Sequence, residues 1–222
     1  MTGGAETVAL DVAHAWRRDA DECSSLLCVR EGSAMAGTTA LLVERPFEPA
    51  ALWLWLTTAR SVRALEPWRV GDHLLGSDFV YDDLRMWTPR PLSEATRAHD
   101  AGEDDRITLH ADFAWRDEGT VGVESLLDVA SGLVLATSWT RVSDDRPFRR
   151  LEAIGITVLG GVATPSVIAV SQPDDGYESR LSLRGQATGV PLQAAWFEPE
   201  GMPAAAQRLD RIAQRTFARA PS

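Results

Sequence analysis

The side chains able to do chemistry are clustered acids, four histidines and eight tryptophans. The densest segment is Gly71 to Trp87, GDHLLGSDFVYDDLRMW. Ser77 or Asp78 can cap a short helix there, with Asp82 and Asp83 at the positive end of its dipole and Phe79, Val80 and Leu84 turned inward. Asp78, Tyr81 and Asp82, with Arg141 further on, could each supply a hydrogen bond or a proton to a bound molecule. The plainer alternative is a capped helix or ordered loop carrying its acids on the solvent side. His110 and Asp112 lie two apart on a strand pattern and so share a face, either as an acid–base pair or as solvated neighbours. His14, His73, His99 and His110 are otherwise scattered, and no metal-ligand spacing joins them. There is no Gly-x-Ser-x-Gly elbow and no glycine-rich phosphate loop. No metal or cofactor is expected.

The aromatic residues follow a strand rhythm. Trp53 and Trp55 alternate with Leu52, Leu54 and Leu56. Trp115 and Trp139 fall on the apolar faces of later strands. Trp53, Trp55, Trp87, Phe113, Trp115, Leu135 and Trp139 are therefore candidates to line an apolar cavity, flat and stiff enough for an extended ligand. Ordinary core packing is the alternative.

These residues need elements to hold them. Ala9, Val12, Ala13 and Trp16 recur at helical spacing, which predicts an N-terminal helix from Thr7 to about Asp19, closed by Arg17 and Arg18. From Leu26 the period changes to two. Thr39–Glu44 and Ala51–Leu56 read as strands split by Pro46 and Pro49. Arg106 to Trp115 alternates throughout, and turns at Glu118-Gly119-Thr120, Ser131-Gly132 and 144–147 separate it from strands through Val121 and Val123, over Leu133–Val142 and over Phe148–Leu159. Leu133, Leu135, Thr137, Trp139 and Arg141 are expected on one side of their strand. Gly160-Gly161 and a turn at 173–176 lead to strands at Val167–Ser171 and Tyr177–Arg184. Pro203 opens a C-terminal helix whose face carries Leu209, Ile212, Ala213, Thr216 and Phe217. Short connections leave no room for crossover helices, so the sheet is antiparallel. A sheet of roughly seven to nine strands curls or splits. The fold class is thus mainly β (α+β), and the antiparallel sheet, if curled rather than split, would enclose a broad apolar concavity. Helices at both ends and a short central helix cover or plug an apolar cavity, all within one domain over residues 1–222.

Composition excludes several function classes. The chain has 222 residues, 45% hydrophobic and 24% charged, an ordinary globular balance. All 22 basic residues are Arg, and there is no Lys and no Asn. Schiff-base chemistry, Ser-Lys dyads and N-glycosylation are excluded. A net charge of −10 with no dense basic patch argues against nucleic acid. No base precedes Arg17, and the longest plainly apolar run is Ala50 to Leu56, so neither an export signal nor a membrane span is expected. Cys23 and Cys28 form no metal cluster and read as reduced thiols. A cytoplasmic location is the expectation.

Gly76-Ser77-Asp78-Phe79-Val80-Tyr81-Asp82-Asp83-Leu84 resembles the Gly-Ser/Thr-Asp-Phe-Ser-Tyr-Glu-Asp-Leu stretch of outer-membrane lipoprotein-sorting-like (LolA-like) proteins, with Val80 in place of Ser and Asp82 in place of Glu. Gly37-Thr38-Thr39-Ala40-Leu41-Leu42 is similar to that family's Gly-Thr-Ala-x-Leu strand. Leu52-Trp53-Leu54-Trp55-Leu56 followed by Arg60-Ser61-Val62-Arg63 is similar to its Leu-Trp-x-Tyr-Leu strand and basic turn, and 160–165 to the entry into its last hairpin. The likeness covers roughly residues 35–200. It implies a half-open barrel around helices, with a cavity for acyl chains. Two functions follow as expectations. The preferred one is a binding protein for an extended apolar small molecule, acyl chain or lipid. The second is a cofactor-independent cyclase or isomerase acting on a polyketide-like substrate, with Asp78, Tyr81, Asp82 or Arg141 as its polar groups.

Overall fold

The computed structural model describes residues 9–217 except 20, 31–32, 46–47, 86–96, 101–104, 116–118, 144, 160 and 174–175. The chain divides into two compact units, residues 1–69 with 191–222, and residues 70–190.

In the first unit, five strands form an antiparallel meander: β1 (Val12–Arg18), β2 (Cys23–Val29), β3 (Thr39–Glu44), β4 (Ala51–Leu56) and β5 (Ser61–Leu65). Helix α1 (Met202–Phe217) covers one face of this meander. Leu26, Cys28, Leu41 and Val43 alternate along β2 and β3 and meet Met202, Ala205, Ala206 and Leu209 of α1. This alternation and the helical spacing of the α1 residues put one apolar side of each element into a shared core. A 3-10 turn, Ala194–Phe197, adds Trp196 and Phe197 to it. Arg30 joins the two ends of the unit, reaching Asp11 at 2.9 Å and Asp210 of α1 at 2.5 Å. Neither Cys23 nor Cys28 is in a disulfide, and burial pushes the Cys28 thiol up.

The expected N-terminal helix is a strand over its described part. β1 pairs with β2 from Val12↔Val29 to Arg18↔Cys23. Ala13 and Ala15 point into the core, whereas Trp16, which helical spacing would bury, is 43% exposed. Small apolar residues at 9, 12, 13 and 15 suit both periods locally. The open edge of β2 offers seven paired positions, and that non-local ladder decides between them.

The second unit is a seven-stranded meander in the order β12-β11-β10-β9-β8-β7-β6. Its strands are β6 (Arg97–Asp100), β7 (Arg106–Trp115), β8 (Gly119–Asp128), β9 (Leu133–Arg141), β10 (Arg146–Leu159), β11 (Val162–Gln172) and β12 (Tyr177–Ser182). The antiparallel class and most strand positions are as expected. Instead of one curled sheet of seven to nine strands, the described residues form two sheets, and among those residues neither sheet closes on itself, since each retains two edge strands.

One face of the seven-stranded sheet is apolar and buried. Val121, Val123, Trp139, Leu151, Ile168 and Val170 all share it, as their register shows. Residues 71–85 lie on this face. Leu74, Phe79, Val80, Tyr81 and Leu84 of that segment are buried.

Candidate functional site

The segment over the sheet is a tight hairpin followed by a 3-10 turn, Tyr81–Arg85. Leu74 N–H donates to the Phe79 carbonyl at 2.6 Å and Tyr81 N–H to the Asp72 carbonyl at 3.3 Å, with an isolated bridge between His73 and Val80. Leu75 and Gly76 form the hairpin's tip, both at positive φ (54° and 77°), so a glycine at 76 removes the strain that a second side chain would add.

Two polar links tie the segment to the sheet. Asp78 N–H donates to Ser179 Oγ at 3.0 Å, and that hydroxyl donates back to Asp78 Oδ2 at 2.8 Å. Asp83, 5% exposed, receives a hydrogen bond from Arg149 Nη2 on β10. Asp83 Oδ2 also accepts the Val80 N–H at 2.8 Å, so the 3-10 turn is capped by a residue reaching back from inside it. The expectation that Ser77 or Asp78 caps this element is corrected: Ser77 Oγ instead donates to the Leu74 carbonyl. The expectation of solvent-facing acids fails for Asp83, because Arg149 supplies a partner inside the apolar face.

Arg149 is 3% exposed, and its Cζ sits 4.3 Å from the centroid of the Trp139 ring. Only Nη2 meets the carboxylate; buried Nε and Nη1 have no hydrogen-bond acceptor among the described residues. Burial pushes the Asp83 carboxyl up from the usual carboxylate range, against the pull of the Arg149 charge and the Val80 N–H.

The other residues singled out by sequence are dispersed. Tyr81 is buried at the start of the 3-10 turn, and Asp82 is half-buried beside it. Arg141 stacks over Phe148, 4.7 Å from its centroid. Trp53 and Trp55 lie on β4 of the first unit, packed against the core under α1. Phe113 and Trp115 occupy β7 positions opposite Val121 and Gly119. Trp87 lies outside the described residues. Strict alternation would place Leu135 with Trp139, but a bulge beside Leu126/Leu127 intervenes. Leu135 and its neighbour Ala136 both line an open groove of about 590 Å³ on the other face, with Arg106, Asp128, Arg150 and Glu152. His110 Nε2 and Asp112 Oδ1 stand 3.4 Å apart on an exposed strand face, the solvated arrangement. Among the described residues no cluster of three or more metal-ligating side chains occurs.

Sequence reasoning missed Arg149 and the inward turn of Asp83. Both residues were visible as charges, one in the Arg146–Arg150 cluster and one in the Asp-Asp pair. The usable signal was parity: Arg149 falls in step with Leu151 on the strand, on its apolar side.

Comparison with solved structures defines the class of fold. The chain superposes on a domain assigned to outer membrane lipoprotein sorting in Vibrio parahaemolyticus with a TM-score of 0.70 at 14% identity, covering 87% of this chain and 83% of that one. A DUF1329 family protein from Desulfovibrio piger gives a TM-score of 0.70 at 15% identity, covering 87% and 82%. The chain therefore shares the fold of these two domains. No family model matches the chain, and no curated protein matches its sequence. Among the described residues no helix is long and apolar enough to cross a membrane.

Proposed function

We propose that this protein binds an extended apolar molecule, an acyl chain or lipid, against the buried face of its seven-stranded sheet. The observation that carries the reading is the way that face is covered. Val121, Val123, Trp139, Leu151, Ile168 and Val170 form a contiguous apolar surface. Its described cover is one short hairpin and a 3-10 turn, whose backbone hydrogen bonds from Leu74, Ser77, Tyr81 and Asp83 all close within the segment itself. A cover of that kind can part from the sheet without breaking a β-ladder, and it leaves an apolar surface for a ligand to replace. The shared fold and the lipoprotein-sorting description of one structural neighbour support the same reading. Binding is preferred to catalysis because Asp78 is engaged with Ser179 and Arg141 with Phe148.

The test is displacement of a neutral fluorescent apolar probe by lipids and fatty acyl compounds. Saturable displacement, weakened by Val123→Arg or Leu151→Arg in variants that still fold, is the expected result. Failure of the probe to bind at any concentration, with the cover intact or with Asp78→Ala loosening it, would overturn the reading.

A further inference from the structure

We propose that the guanidinium of Arg149 is the docking point for a carboxylate head group, so that the ligand is an acyl chain ending in a carboxylate rather than a neutral lipid. The proposal rests on the apolar-ligand reading above and names the class of molecule bound.

Three observations carry it. Arg149 is a cation 3% exposed, placed on β10 in the middle strands of the apolar face, with Leu151 beside it on the same side. An arginine carries five N–H donors in a planar fork, and three of them lie on Nε and Nη1. Both of those nitrogens are buried without an acceptor among the described residues, while Asp83 occupies Nη2 alone. Buried donors left without acceptors are costly and uncommon in native structures. Each two-pronged edge of the fork, Nε with Nη2 or Nη1 with Nη2, includes Nη2, and whichever of its two N–H groups meets Asp83, the other completes an edge that a carboxylate can meet with two parallel hydrogen bonds.

The surroundings fit the rest of such a molecule. The Arg149 Cζ sits over the Trp139 ring, 4.3 Å from its centroid, a contact that restrains the fork. Val123 faces Trp139 across the ladder, and Leu151, Val170 and Ile168 continue the same face, offering an apolar track from the head group. Asp83 already shows a carboxylate seated on this cation. A second carboxylate is accommodated if Asp83 swings away with the cover or takes up a proton. Burial pushes the Asp83 carboxyl up from the usual carboxylate range.

The experiment compares palmitate with palmityl alcohol, which share one chain and differ at the head. Each competes with a neutral fluorescent probe on the wild-type protein and on the double variant Asp83→Leu/Arg149→Met. That variant removes both charges together, so that no unpaired ion stays buried and the fold is kept. The expected result is a wild-type preference for palmitate of about 10- to 100-fold, the worth of hydrogen bonds to a charged group. In the double variant the preference falls to about one. Equal binding of both ligands by the wild type overturns the head-group assignment and leaves the apolar-ligand reading standing. A preference that persists in the double variant also overturns it. Failure of either ligand to compete with a bound probe, or of the probe to bind, overturns the apolar-ligand reading and this assignment with it.

Discussion

Removing one partner of the Asp83–Arg149 pair should be far more damaging than removing both. Asp83 and Arg149 are 5% and 3% exposed, so neither charge can recover water when the other is lost. Breaking a buried pair from one side costs about 3–5 kcal/mol, whereas replacing both by apolar groups of similar volume is often close to neutral. Arg149→Met should therefore cost about 3–5 kcal/mol, including the lost stacking on Trp139. Asp83→Leu should cost a similar amount, and it also removes the acceptor of the Val80 N–H. The double variant sits among Val123, Trp139 and Leu151 with no ion left. It should lose only about 1–2 kcal/mol, mostly the cap. The two single losses together then exceed the double loss by at least about 4 kcal/mol. Urea unfolding followed by tryptophan fluorescence measures all four proteins. Against a total stability of about 5–15 kcal/mol, the single variants should show midpoints clearly below wild type. Additive effects, with the double variant as unstable as the sum of the singles, would refute the claim that the two charges are buried as a pair.

Three further outcomes are expected. Burial lowers the His14 imidazole from 6.5 to about 4. The unfolded chain then binds the extra proton first, so stability falls as pH drops from about 6.5 towards 4, by up to about 3 kcal/mol. His14→Gln should flatten that part of a melting-temperature–pH profile. An added Cβ at Gly201 would lie 1.6 Å from the Ala195 carbonyl oxygen. Gly201→Ala must displace the turn that precedes α1, and a lowered melting temperature with reduced protection of residues 194–206 in hydrogen exchange checks it. Leu41→Ala empties a site with 0% exposure in the core under α1, at a cost of about 2.7–5 kcal/mol in chemical denaturation.

What local pattern could specify was legible from the sequence. In β7 the apolar residues Ile107, Leu109 and Ala111 alternate with Thr108, His110 and Asp112, and the strand spans the expected residues. Pro203 falls in the first turn of α1 as the helix reading required. Phe79, Val80 and Leu84 are buried, as their spacing around the Asp-Asp pair implied. The four-residue gap between β9 and β10 likewise forced antiparallel neighbours.

Tertiary structure decided the rest wherever two local readings tied. Residues 12–18 are a strand because β2 presents an open edge to them, a partner that no window of the sequence contains. Leu135 left the side of Trp139 because one extra residue at a bulge reverses the parity beyond it. Asp83 is inside although carboxylates usually seek water. An arginine 66 residues later in the chain reaches the same apolar face and makes the burial tolerable. Periodicity reports which side of an element a residue occupies, but the partner that meets it there is set by how distant strands align. The candidate site, built on a charge pair between a turn and a strand, belongs wholly to that second kind of information.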